Sequence, residues 1–209
     1  MSRIAHDERL LLCDLLDELG PAADTLCEGW ATLDLAAHLV LREHSAAALG
    51  IRVKPLAGWT DHTQERYARQ PYASLVERVR TGPPLWSPMA LPPVDAAVNT
   101  TEYFVHHEDV RRAQDGWQPR ELHPKVEDAL WRIAKGWARI TFRSSATGVL
   151  LVRETGESVV GRSAEPTVTV TGQPQEILLY IMGRKQHARV EITGDAAAVR
   201  DFRGEDLTV

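Results

Sequence analysis

The sequence predicts an α+β protein, with a helical first part followed by a compact unit of strands and helices. Three observations carry this. Apolar residues recur at helical spacing from the start, as in Leu11, Leu12, Leu15, Leu16 and Leu19. After residue 145 the period changes, and β-rich runs such as TVTVTG take over. The chain has 209 residues, 44% hydrophobic and 25% charged, close to globular averages and large enough for a core without disulfide staples.

The elements follow in order. Ser2 to Leu19 reads as an amphipathic helix stopped by Gly20-Pro21. Thr32 is a plausible N-cap for a second helix, LDLAAHLVLREHSAAALG, which runs through Leu49 and stops at Gly50. Residues 51–72 are mixed and turn-rich, and Ser74 to Arg80 reads as one short helix. Residues 81–93 hold five prolines in thirteen positions, so neither a regular helix nor a central strand fits them. With Leu85, Trp86, Met89 and Leu91 among them, they read as an ordered loop. A third long helix spans about Val94 to Ala113, and a fourth about Pro124 to Phe142. GVLLVRE, ESVVGR and TVTVTG read as strands, the first two joined as a hairpin through Thr155-Gly156. A helix from Gln173-Pro174 closes at Gly183, ARVEITGD is another strand, and AAAVRDFR is a last helix. Residues 114–123 are the first candidate boundary. The domains are drawn as 1–143 and 144–209, with the helix at 124–142 assignable to either half.

Charge and composition narrow the function. Formal net charge is −5 and the sequence pI about 5.9, with no Lys/Arg run longer than two. A nucleic-acid partner, which calls for a basic patch, is not expected. No apolar run approaches the ~20 residues of a membrane span, and acids interrupt the apolar start, unlike the core of a signal peptide. Cys13 and Cys27 are then expected as free thiols in a cytoplasmic protein. Phosphate-binding glycine loops and a Ser-His-Asp pattern are absent from the sequence.

One constellation carries chemistry. Glu102 and His106 lie four apart, hence on one face of the third long helix, one turn from each other. Alone, such a pair is as well read as a solvated surface pair. Here Val98, Glu102, Val105 and Asp109 run close to one stripe, flanked by Tyr103, Phe104 and Val110. Polar groups set among apolar ones need partners or a metal. His38, mid-helix in LAAHLV, adds a third ligand of suitable type; a hydrogen-bonded core histidine is its plain alternative. Two imidazoles and a carboxylate suit an open zinc site with a fourth position for water or substrate. His107 and Glu108 point about 100° and 200° away from His106 and are not co-ligands. Asp109 either orients the His106 ring by hydrogen bonding or pairs with Arg111 or Arg112.

The stretches LCEGWATLDLAAHLVLRE, VNTTEYFVHHEDVRRAQ and PTVTVTGQPQEILLYIMGR…ARVEITGD together resemble the mycothiol-dependent maleylpyruvate isomerase family, within the DinB-like metal-binding bundles. The resemblance covers nearly the whole chain. It is nearest to an actinobacterial branch described only as metal-binding, through GPPLWSPMALPPVD and VHHEDVRRAQ. It implies a DinB-like four-helix bundle followed by a small sterol-carrier-like α+β domain. It also implies metal ligands at His38, Glu102 and His106, and a low-molecular-weight thiol, mycothiol, as cofactor or co-substrate. The implied activity is a zinc-dependent isomerase or S-transferase acting on a small electrophile. The alternatives are a non-catalytic, metal-stabilised small-ligand-binding protein and a zinc-dependent hydrolase. A fourth protein ligand, such as His62 or Cys27, would mark a structural site.

Cys27, in the loop leading to the His38 helix, is a candidate pocket residue, and Trp86 a candidate pocket wall or lid; a plain loop residue and a core anchor are their alternatives. Cys13, amid leucines, reads as core. Arg111-Arg112 and Arg184-Lys185 read as surface charge rather than a carboxylate clamp.

Overall fold

The computed structural model describes residues 3–51, 53–91 and 98–205. The chain divides into two compact units, Met1–Pro119 and Arg120–Val209. The division falls within the 114–123 stretch. The helix at 124–142, which the sequence left assignable to either half, falls in the second unit.

The first unit is helical. It contains α1 (Arg3–Leu19), α2 (Thr32–His44), α3 (Ala57–Ala68), α4 (Tyr72–Thr81) and α5 (Thr100–Arg112). Gly20 ends α1 with φ 78°, a conformation that glycine adopts without steric cost. Helix α2 stops earlier than expected. Ser45 is extended, and Ala46–Ile51 forms a 3-10 segment. The N-cap of α2 is Ala31 rather than Thr32, because the Asp34 carboxylate accepts the Ala31 N–H at 3.0 Å, while the Thr32 hydroxyl donates to the Gly20 carbonyl. Gly50 is required where the 3-10 segment meets α3, since a Cβ there would collide with the Thr60 hydroxyl and the Leu56 carbonyl.

Helix α3 occupies the stretch the sequence left as mixed turns. Its buried face is Thr60, Thr63 and Tyr67, so its helical period is written in threonine and tyrosine rather than aliphatic residues. Trp59, within the stretch read as mixed turns, is on this helix. For α5, the expected residues 94–97 lie outside the described residues; Val98 and Asn99 form a wider turn and the α-helix begins at Thr100.

Helix α1 packs on α4 and α5, and α2 on α3 and α4. Leu12, Leu16, Leu35, Leu39, Leu75 and Val79 form the apolar centre. Cys13 belongs to it, fully buried, with its thiol pushed up to about 12 by burial. A buried ionic knot joins four helices. Arg9 holds both Glu43 carboxylate oxygens at 2.6 and 2.8 Å, donates to the Val79 carbonyl at 2.7 Å and lies over the Tyr103 ring, whose hydroxyl donates to Glu43.

The second unit places α6 (Pro124–Thr141), β1 (Gly148–Arg153), β2 (Ser158–Arg162), β3 (Thr167–Gly172), α7 (Pro174–Ile181), β4 (Glu191–Thr193) and α8 (Ala196–Gly204) in chain order. The sheet order is β2-β1-β3-β4. β1 and β2 form the expected antiparallel hairpin, β1 and β3 are parallel, and β3 and β4 are antiparallel. The alternation Val149, Leu151 and Val168, Val170 buries one sheet face. Helix α6 packs on α7 and β2 and buries Leu130, Trp131, Ala134 and Ala138, which is why it belongs to this unit. Among the described residues no helix is long and apolar enough to cross a membrane.

Candidate metal centre

Two helices bring the sequence-selected residues together. His38 comes from the middle of α2, and Glu102 and His106 from successive turns of α5. Glu102 Oε1 stands 3.3 Å from His38 Nε2 and 3.4 Å from His106 Nε2. One ligand atom from each of the three lies within 4.8 Å of the others. A tetrahedral zinc ion with bonds of about 2.0–2.1 Å separates its nitrogen and oxygen ligands by about 3.3–3.4 Å. The two edges from Glu102 match that spacing, and two imidazoles with one carboxylate are the donor types such an ion takes. The side chains remain partly open: 12% exposed for each histidine and 21% for Glu102.

The surroundings orient the cluster. Asp109, fully buried one turn beyond His106, places Oδ2 2.9 Å from His106 Nδ1. The contact with His106 is formed, and Arg111 and Arg112 bind Glu108 at 2.9 and 2.6 Å. With Nδ1 held by a carboxylate, Nε2 is the ring nitrogen aimed at Glu102 and His38. The adjacent His107 turns away and meets Glu8 at 2.9 Å across α1. Trp30 packs its ring 5.0 Å from the His38 ring and restricts its rotation.

Cys27 approaches from the opposite edge of His106. Its Sγ lies 3.7 Å from Nδ1 and donates to Asp109 Oδ2 at 3.3 Å, and the neighbouring Leu26 N–H donates to the Asp109 carbonyl at 3.1 Å. Cys27 therefore braces Asp109 behind the His106 ring. Trp86 is 69% exposed, and Leu85 beside it 99%. Arg112 is buried under the Trp117 ring rather than lying on the surface.

Charge is managed locally. Burial by itself would raise the Glu102 carboxyl. The Arg42 guanidinium, with Nε 3.4 Å away, and hydrogen bonds from His106 and His38 outweigh burial and hold it well below the usual carboxylate range. Burial would lower His106, but hydrogen bonds with Asp109, Cys27 and Glu102 raise it well above the ordinary imidazole value. Arg42 is the residue that sequence reasoning missed. Its position one turn after His38, on the same face, was the available signal.

Fold and cluster together define a two-unit α+β protein whose helical unit carries a His–Glu–His set suited to a divalent metal. No family model matches the chain, and no curated protein sequence matches it. Two solved structures share its fold. A histidine-to-alanine mutant of mycothiol-dependent maleylpyruvate isomerase is 15% identical, with a TM-score of 0.61 over 91% of this chain and 89% of that one. A second structure of mycothiol-dependent maleylpyruvate isomerase is 14% identical, with a TM-score of 0.59 over the same shares. At such identity the likeness establishes the fold.

Proposed function

We propose that this protein is a metal-dependent enzyme of the mycothiol-using maleylpyruvate isomerase type, with a DinB-like bundle as its metal-binding unit and the second unit as a sterol-carrier-like domain. The carrying observation is the convergence of His38, Glu102 and His106 at tetrahedral ligand spacing, in a fold shared with enzymes that use mycothiol. Zinc is the metal that this borderline donor set fits.

His38 Nε2, Glu102 Oε1 and His106 Nε2 would hold the ion. Asp109 keeps the proton on His106 Nδ1, leaving Nε2 free to donate its electron pair. Arg42 keeps Glu102 ionised despite burial, and the partial exposure of all three ligands leaves room for an external molecule. The ion, when bound, supplies an electron-pair acceptor that favours a small thiol in its thiolate form. With a carboxylate as the one anionic ligand, the centre keeps a net charge of about +1 and favours an anion. The thiolate sulfur adds to one carbon of an electron-poor C=C bond, forming a C–S bond as the π pair moves onto the adjoining electron-withdrawing group. If that pair re-forms the C=C bond after rotation and the sulfur departs with the C–S pair, the product is an isomer. If the sulfur stays and the carbon takes up a proton, the product is an S-conjugate.

Cobalt substitution tests the assignment. Titration with millimolar mycothiol or another small thiol is expected to add a sulfur-to-metal charge-transfer band near the ultraviolet. A spectrum that thiols leave unchanged while carboxylates or phosphates alter it would overturn the thiol assignment in favour of a hydrolase or binding protein. A spectrum altered by neither would mark a closed, structural site.

A further inference from the structure

Arg42 lies between the cluster and the proline-rich segment. Its Nε is 3.4 Å from Glu102 Oε1, the same oxygen that faces both histidines. Its Nη1 donates to Asn99 Oδ1 at 2.9 Å. Asn99 Nδ2 in turn donates to the Met89 carbonyl at 2.8 Å, and the Met89 N–H donates to the Ser87 hydroxyl at 3.3 Å. Arg42, Asn99 and Ser87 are all buried, whereas Leu85 and Trp86 beside them are exposed. A continuous polar chain thus joins the candidate ligand oxygen to a solvent-facing segment.

An arginine is required for this arrangement. The guanidinium presents several N–H groups in one rigid plane, so it serves a carboxylate and an amide oxygen at once. A lysine ammonium at position 42 keeps the charge beside Glu102 but loses the planar fork. Asn99 is matched to its role as well, because its amide both accepts from Arg42 and donates to Met89.

We propose that Arg42 is a positioning residue with two linked tasks: it aims Glu102 at the metal and, through Asn99, fixes the segment around Ser87–Met89. Metal binding and the order of that segment are thereby coupled. The coupling rests on the metal reading above, while the tether itself is a property of the metal-free chain.

The test combines zinc affinity by chelator competition, the cobalt d–d spectrum, and hydrogen exchange of the peptide covering 83–91, with and without zinc. Arg42→Met is expected to weaken zinc about 10–100-fold, the usual loss when an outer partner of a metal ligand is removed, to shift the cobalt spectrum, and to speed exchange in 83–91. Arg42→Lys should recover much of the affinity but not the slow exchange. Asn99→Ala should speed exchange as much as Arg42→Met while costing less zinc affinity, and it carries the test if Arg42→Met does not fold. In the unmutated protein, zinc should further slow exchange in 83–91, and Asn99→Ala should abolish that response. Unchanged affinity and spectrum in Arg42→Met, or unchanged exchange in both Arg42→Met and Asn99→Ala, would overturn the proposal. So would a segment indifferent to zinc in the unmutated protein. Failure of the unmutated protein to bind zinc or cobalt would instead overturn the metal reading and with it the coupling, leaving exchange in the metal-free variants to report on the tether.

Discussion

Asp109→Asn isolates the group behind His106. In the structure Asp109 Oδ2 meets His106 Nδ1 at 2.9 Å and accepts from the Cys27 thiol at 3.3 Å. Asparagine preserves the shape but removes the charge, and its amide can turn an NH2 toward Nδ1, favouring the proton on Nε2 where the metal needs a lone pair. A hydrogen bond to a charged group is worth about 1.5–3 kcal/mol net, which at about 1.4 kcal/mol per tenfold predicts a loss in metal affinity of roughly 10–150-fold. Carboxylates behind metal-bound histidines typically contribute about 10–100-fold, so the two routes agree. The Leu26 contact uses the Asp109 backbone carbonyl and survives the substitution. Cys27→Ala removes only a weak S–H donor and should cost far less. Chelator competition gives the dissociation constant, and circular dichroism checks the fold. Asp109→Asn binding zinc as tightly as the unmutated protein would refute the orienting role.

His38→Ala and His106→Ala should each abolish stoichiometric metal by elemental analysis, and Glu102→Gln should weaken it less, because an amide oxygen still donates; full metal in both histidine variants would exclude this ligand set. The pH dependence follows from His106 and Glu102. In the metal-free protein, the raised His106 contributes stability that is full below its ordinary value of 6.5 and is lost as pH rises through its higher folded-state value. The depressed Glu102 contributes stability that is full above its ordinary 4.5 and is lost as pH falls through its lower folded-state value. The pair therefore stabilises most between those ordinary values. Metal-free protein should lose thermal stability at alkaline pH, while zinc, which takes the place of the proton, should spare it. Calorimetry in buffers of different ionisation enthalpy should show about one proton released on zinc binding near neutral pH; zero release would show that His106 is already neutral there.

The sequence by itself picked out the candidate set His38, Glu102 and His106, the helices that carry it and the strand-rich second unit. Those features rest on local periodicity: four residues is one helical turn, which places Glu102 and His106 on one face, and β-branched alternation marks TVTVTG whatever surrounds it. It did not determine α3, whose buried face is Thr60, Thr63 and Tyr67, because threonine carries no clear hydrophobic period. Nor did it decide the owner of α6, whose apolar stripe is complementary to any apolar surface until α7 and β2 cover it. Tertiary structure alone brought Cys27 to Asp109, 82 residues away in sequence. Arg111 and Arg112 are as near in sequence as His106; the helix turn brings both to Glu108, while the Asp109 carboxylate meets His106 and Cys27. Arg42 and Asn99 escaped notice for the same reason. A polar residue gains its meaning from what the opposite helix places against it, and that pairing joins positions 57 residues apart.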